Sequence, residues 1–170
     1  MSEAFWLLSF LTFQRLAELV IARKNTSALM AAGAREIGAE HYVYMVALHG
    51  SWLVALWVFG GDNPVSIFWL VIFIALQSGR LWVLATLGRR WTTRIIIPQN
   101  APLITNGPFR FFKHPNYLVV IGEIAVVPLA LGLWWLAIVY SVLNAWMLWV
   151  RIGVENNALD NAQGGKSHAG

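Results

Sequence analysis

The sequence predicts an all-α, polytopic integral membrane protein with about five transmembrane helices and a polar loop on the cytoplasmic side. Three observations predict it. Of its 170 residues 58% are hydrophobic and only 12% are charged, and the mean hydropathy is +0.61. A soluble domain carries far more surface charge. Apolar stretches of about 20 residues, the length that crosses a bilayer, recur along the chain, and the Lys and Arg residues outside those stretches fall on alternate connectors only.

The first apolar stretch is Ala4–Ala22, preceded by Ser2 and Glu3 without a basic leader, so it reads as a retained span. The next are Tyr42–Gly60 and Pro64–Leu84, joined by Gly61-Asp62-Asn63, then Tyr117–Leu133 and Trp134–Val150, joined at Gly132. Connectors this short imply antiparallel hairpins. Ten Trp suit a chain with two water–lipid interfaces. The absence of Cys removes disulfides, thiolate metal sites and a thiol nucleophile. Residues 1–86 form an N-terminal unit of three spans, 87–160 a C-terminal core of loop, helical hairpin and helix end, and 161–170 a flexible tail.

Arg23, Lys24 and Arg35 follow the first span, Arg89, Arg90, Arg94, Arg110 and Lys113 the third, and Arg151 and Lys166 the fifth. The short connectors have none. The positive-inside rule therefore puts the N-terminus outside and the C-terminus in the cytoplasm, in the cell membrane, which an odd number of spans allows. The net charge of +4 then serves contact with anionic lipid; no module for nucleic acid is visible, and no metal site is expected.

Chemistry is expected where charge and irregular backbone concentrate, between Leu87 and Tyr117. Pro98, Pro102, Pro108, Pro115 and Gly107 exclude a continuous helix there. Pro115 suits the first turn of the following helix, with His114 near its N-cap and free backbone N–H groups facing the cytoplasm, an end that attracts carboxylate or phosphate. The same residues also fit a plainer account, in which basic side chains hold lipid headgroups and prolines stop helices. Arg151 and Glu155 share one helical face, which Asn144 continues into the membrane; they equally suit an interfacial ion pair. Within the spans, Gln14, Arg15, Glu18, His49, Gln77, Arg80 and Glu123 are costly in lipid unless they find partners or a cavity. Arg15 and Glu18 fit an i, i+3 pair. Glu123 has no sequence-local partner and implies an interhelical contact, either near an acceptor pocket or in a structural ion pair, and Pro128 can kink its helix.

The run LITNGPFRFFKHPNYL, Leu103 to Leu118, followed by a hydrophobic hairpin and RIGVENNAL, Arg151 to Leu159, resembles the isoprenylcysteine carboxyl methyltransferase family; GAREIGAEHY at Gly33–Tyr42 looks like a bacterial branch of it. The resemblance implies methyl transfer from S-adenosylmethionine to the carboxyl or hydroxyl group of a lipophilic acceptor, with the polar loop as a cytoplasmic cofactor-binding loop. It assigns cofactor contacts to Arg94, Ala101, Pro102, Leu103, Ile104, Gly107, Phe109, His114, Pro115, Asn116, Tyr117 and Glu155. Acceptor binding falls to Arg151, with Glu123 and Asn144 beside it, and Arg151 and Glu155 stand as the catalytic pair. Phe109 replaces the commoner Tyr, and Asn156 stands where many members have a second Glu. HPNY also occurs in membrane sterol reductases, so an NADPH-dependent reductase is one alternative and a non-catalytic lipid-binding protein another.

Overall fold

A computed structural model describes residues 2–98, 102 and 104–167, with side chains described as far as residue 158. Five helices, α1 (Glu3–Ala31), α2 (Ala39–Gly60), α3 (Ile67–Leu87), α4 (Pro115–Ala130) and α5 (Trp134–Ser167), form an all-α bundle. Four are long and apolar enough to cross a membrane, and α4, at 16 residues, is the short one. Its length of about 24 Å falls below a typical hydrocarbon core of about 30 Å. Phe13, Val71 and Trp149 face outward at 74%, 60% and 76% exposure, as expected where lipid is the solvent of the outer face. The chain is a multi-pass membrane protein.

Helix starts follow local chemistry. Ser2 caps α1 by accepting the Phe5 N–H at 3.1 Å, and its own hydroxyl donates to the Gly61 carbonyl at 2.7 Å. Pro115 opens α4 with His114 at the N-cap, as expected from sequence. The α4–α5 turn uses Gly132 at φ +71°, which an L side chain adopts only with strain; Leu133 N–H returns to the Pro128 carbonyl at 2.8 Å. The α2–α3 turn is tied to it through Asn63 Nδ2, which donates to the Leu131 carbonyl at 2.8 Å. We call this the hairpin end.

Two helices outrun their expected spans. α1 continues from Ala22 to Ala31, and α5 runs past Val150. At the opposite end of the bundle, the loop end, a two-stranded antiparallel ribbon pairs β1 (Arg35–Ile37) with β2 (Ile95–Ile97). The ribbon was not expected from sequence. It fastens the α1–α2 connector to the segment after α3.

Packing divides the interior into three zones. An apolar core near the hairpin end takes Leu8 and Leu11 from α1, Trp52 and Leu56 from α2, Phe73 from α3 and Ile124 from α4. A smaller cluster of Ala22, Val83 and Trp91, with Phe109 against it, lies at the loop end. Between them is a buried network of charge. Glu123 accepts Arg80 Nε at 2.8 Å, Gln77 Nε2 at 2.7 Å and Arg15 Nη2 at 2.5 Å, with a further close contact from Arg80 Nη2. Arg80 Nη1 also donates to Glu18 at 3.0 and 3.2 Å, and Arg15 pairs with Glu18 at 3.2 Å. Gln14 Nε2 donates to both Glu18 and Gln77. Two guanidinium groups and two carboxylates thus neutralise one another across α1, α3 and α4, the arrangement that buried charge requires.

Candidate active site at the loop end

The irregular segment between α3 and α4 lies across the loop end of the bundle. A 3₁₀ turn at Gly88–Arg90 leads to buried Trp91. Asn25, on the extension of α1, donates to the carbonyls of Trp91 at 2.8 Å and Gly88 at 3.2 Å, fixing that turn. After β2 the chain returns through a second 3₁₀ turn, Gly107–Arg110. Gly107 has φ +57°, and a Cβ there would stand 2.5 Å from Thr86 Oγ1. Its role in the fold is therefore steric: only glycine lets the loop press against the end of α3.

Three side chains from α4 and α5 meet beneath this loop. The Tyr117 hydroxyl donates to Glu155 Oε2 at 2.5 Å and accepts from Arg151 Nε at 3.0 Å. Arg151 is buried, and its other nitrogens reach the Thr93 carbonyl at 2.6 Å and Met45 Sδ at 3.0 Å. It is thereby gripped by α2, α4 and the strand approach to β2. His114 stacks on Tyr117 with ring centroids 5.4 Å apart, and its Nε2 lies 3.2 Å from Asn156 Oδ1. Among the described residues, the polar contacts of Glu155, with Tyr117 and His114, are both through Oε2, and its side chain is 26% exposed. Oε1 is left to accept from a ligand.

Inward of Arg151 lies a cavity of ≈ 90 Å³ whose wall includes Asn116, Tyr117, Asn144, His49, Arg15 and Glu18. This volume holds a few waters or the polar end of a ligand; a whole drug-sized molecule needs about 300 Å³ or more. Asn144 is 1% exposed, and among the described residues its Oδ1 has no hydrogen-bond partner; Arg15 Nε is likewise buried and unpartnered there. Both residues wall this cavity; Gln14 Oε1, His41 Nδ1, Trp52 Nε1 and Trp91 Nε1 are buried without a partner as well.

The structure brings together Tyr117, Arg151, Glu155, His114, Asn116 and Asn144. Glu123 reaches the cavity only through its partners Arg15 and Arg80. Arg94 pairs with Glu36 at 2.6 Å and lies over the Tyr42 ring at 4.2 Å, joining the ribbon to α2. The Pro102 carbonyl accepts from Arg90 Nη1 at 2.9 Å. Ile104 is half-buried in the loop, Phe109 packs on the Trp91 cluster, and Pro115 is buried at the start of α4. Ala101 and Leu103 lie outside the described residues. The expected row of free N–H groups at the start of α4 is shorter than sequence implied: Tyr117 and Leu118 both donate to the His114 carbonyl, which leaves Asn116. Thr93, Met45 and His49 are wall residues that sequence reasoning did not assign to a site. A histidine and a methionine four apart in an apolar span were the available signal for two of them.

Comparison with known proteins follows the same region. The model of the isoprenylcysteine carboxyl methyltransferase (ICMT) family matches residues 69–161. The uncharacterized protein YpbQ of Bacillus subtilis (strain 168) is 37% identical over 161 residues, covering 91% of this chain and 96% of its own. No solved structure matches.

Proposed function

Because the chain belongs to the isoprenylcysteine carboxyl methyltransferase family, whose members are membrane methyltransferases, we propose that it transfers the methyl group of S-adenosylmethionine to the carboxyl or hydroxyl group of a lipophilic acceptor. The observation that carries this reading is the Arg151–Tyr117–Glu155 relay. It stands beside a small, partly open cavity walled by all five helices and the Trp91–Thr93 segment. Such a relay separates two binding sites while holding one side chain for each.

The donor set on the loop side fits the cofactor. Glu155 Oε1 accepts from hydroxyl or amino hydrogens and complements positive charge; the Asn116 N–H and the His114 ring supply further polar contacts. S-adenosylmethionine, when bound, supplies an intrinsically electrophilic methyl carbon. The protein's contribution is then to align and to exclude water. Arg151 is held by three groups of the chain and also lines the cavity, where its two remaining N–H donors are available to an acceptor. There they orient an acceptor oxygen and favour its anionic form. Met45, Val120, Met147 and Leu148 complete a wall that keeps bulk water away from the oxygen.

The distribution of Lys and Arg supports placing the loop end and the C-terminus in the cytoplasm, where a water-soluble cofactor arrives, and the N-terminus outside, in the cell membrane. Lipid on the outer face supplies the acceptor from the side. Calorimetric titration of detergent-solubilised protein tests the reading. S-adenosylhomocysteine binds with a saturable heat while NADPH gives none; the reverse pattern overturns it.

A further inference from the structure

Between the second 3₁₀ turn and α4 the chain reads Arg110-Phe111-Phe112-Lys113, and all four side chains are exposed, Phe111 at 66% and Phe112 at 54%. Neither the relay nor the cavity wall uses them. Two neighbouring phenyl rings are costly in water and favourable in lipid, so the depth of this stretch decides what surrounds it.

That depth is set by the packing of α3 on α4. The two antiparallel helices are level at the hairpin end, where the Ser66 N–H donates to the Ala130 carbonyl at 2.8 Å. Further along, Gly122 packs on Leu76 and Gly79 on Val119. Carried four residues forward along α3 and four back along α4, this register brings Pro115 level with Val83, one turn short of the α3 end at Leu87. With 21 residues, α3 is about 30 Å long, which matches a typical hydrocarbon core. α4 therefore starts inside the boundary that α3 reaches, and the chain must descend to meet it.

It descends along the outer face of α3. Gly107 presses on Thr86, whereas the Phe111 ring lies against Trp82, with centroids 6.3 Å apart. Trp82 is about 6 Å, one helical turn, nearer the middle of the bilayer than Thr86, and its indole is itself exposed on the outer face. The aromatic patch is thus continuous with a surface that lipid already covers. Backbone near hydrocarbon needs its hydrogen bonds made within the chain, and the N–H groups of Phe111 and Phe112 both donate to the Pro108 carbonyl, at 3.2 and 3.1 Å. Arg110 and Lys113 bracket the rings, and side chains of that length reach back to headgroup phosphates.

We propose that Arg110–Lys113 is an interfacial anchor. Phe111 and Phe112 enter the leaflet at the loop end, beside Trp82, and Arg110 and Lys113 bind the phosphates of anionic phospholipid there. The anchor holds the start of the short α4 at a fixed height in the bilayer. His114, the next residue, stacks on Tyr117, so the same contact sets how far the site lies from the membrane surface. The inference requires no particular reaction at that site.

The test exploits a chain without cysteine. Phe112→Cys carries a nitroxide label in full-length protein, in nanodiscs of phosphatidylcholine with phosphatidylglycerol. Val71→Cys, on the outer face of α3, and Ala31→Cys, at the exposed end of α1, serve as lipid and water references. Power saturation compares collisions with oxygen, which concentrates in hydrocarbon, and with a neutral nickel chelate, which stays in water. The Phe112 label is expected to favour oxygen, less strongly than the Val71 label, while the Ala31 label favours nickel. A nickel preference at Phe112 equal to that at Ala31 overturns insertion, and so does shielding from both reagents, which marks a protein contact. Omitting phosphatidylglycerol, or adding Arg110→Gln with Lys113→Gln, is expected to raise nickel contact at Phe112 about twofold or more, since each cation near an anionic surface strengthens attachment about fivefold. A Val71 label in the same backgrounds stays unchanged, which shows an intact bundle. An oxygen preference at Phe112 that responds to neither change overturns the anionic-lipid assignment.

Discussion

Replacing Glu123 by Gln tests whether the buried charges of α1, α3 and α4 act as one neutral unit. The carboxylate is fully buried and receives bonds from Arg15, Gln77 and Arg80. Gln preserves its shape and removes its charge, leaving two guanidinium groups facing Glu18 alone. Removing one partner from a buried ion pair costs about 3–5 kcal/mol, because the other charge stays desolvated. Arg80→Met has the mirror effect, since Arg80 is only 3% exposed and bonded to both carboxylates; it leaves Arg15 against Glu18 and Glu123. The double variant restores balance, with Arg15 and Glu18 as a remaining pair 3.2 Å apart. Its loss is expected to fall short of the sum of the single losses by about 1–3 kcal/mol. Equilibrium unfolding in mixed micelles titrated with dodecyl sulfate measures all three. Strict additivity, or single losses under about 1 kcal/mol as for exposed pairs, would refute the network as a coupled unit.

Arg151→Lys is expected to keep S-adenosylhomocysteine affinity and lose most single-turnover methyl transfer, because an ammonium cannot reach Tyr117, Thr93 and Met45 together. Glu155→Gln should instead raise the dissociation constant for S-adenosylmethionine by about tenfold, the loss of one charge-assisted hydrogen bond; near-wild-type behaviour of both in calorimetry and rapid quench removes the pair from the site. Gly107→Ala should destabilise the fold by about 1–3 kcal/mol from left-handed backbone and a clash with Thr86, and adding Thr86→Ala should return part of that in thermal unfolding. A reporter fused after Gly170 should be cytoplasmic and one inserted at Asp62 outside; both on the same side contradicts the orientation.

The five helices were legible because long apolar runs between turn residues have few other uses. Their ends were less so. Arg23 and Lys24 read as a connector, yet α1 continues through them, since outside the bilayer a helix tolerates charge and Asn25 gains bonds to the Gly88 and Trp91 carbonyls. The ribbon had half a signal: Ile95-Ile96-Ile97 is a β-branched run before Pro98, but its partner Arg35-Glu36-Ile37 carries none. Within the site, the i, i+4 spacing of Arg151 and Glu155 placed them on one face, and HPNY marked the start of α4. That the Tyr117 hydroxyl lies between them depends on the crossing of α4 and α5, which no local pattern encodes. Glu123 shows the same limit. Its partners are 43, 46 and 108 positions away, so sequence could say only that it needed some.

The cavity wall has a divided origin. Arg15, Glu18, Met45 and His49 come from α1 and α2, whereas Tyr117, Asn144 and Arg151 come from the stretch that the family model matches from residue 69 onward. A change at Arg15, Glu18 or His49 therefore alters the chamber while the contacts among Arg151, Tyr117 and Glu155 stay in place, whereas Met45 belongs to both, because it also holds Arg151.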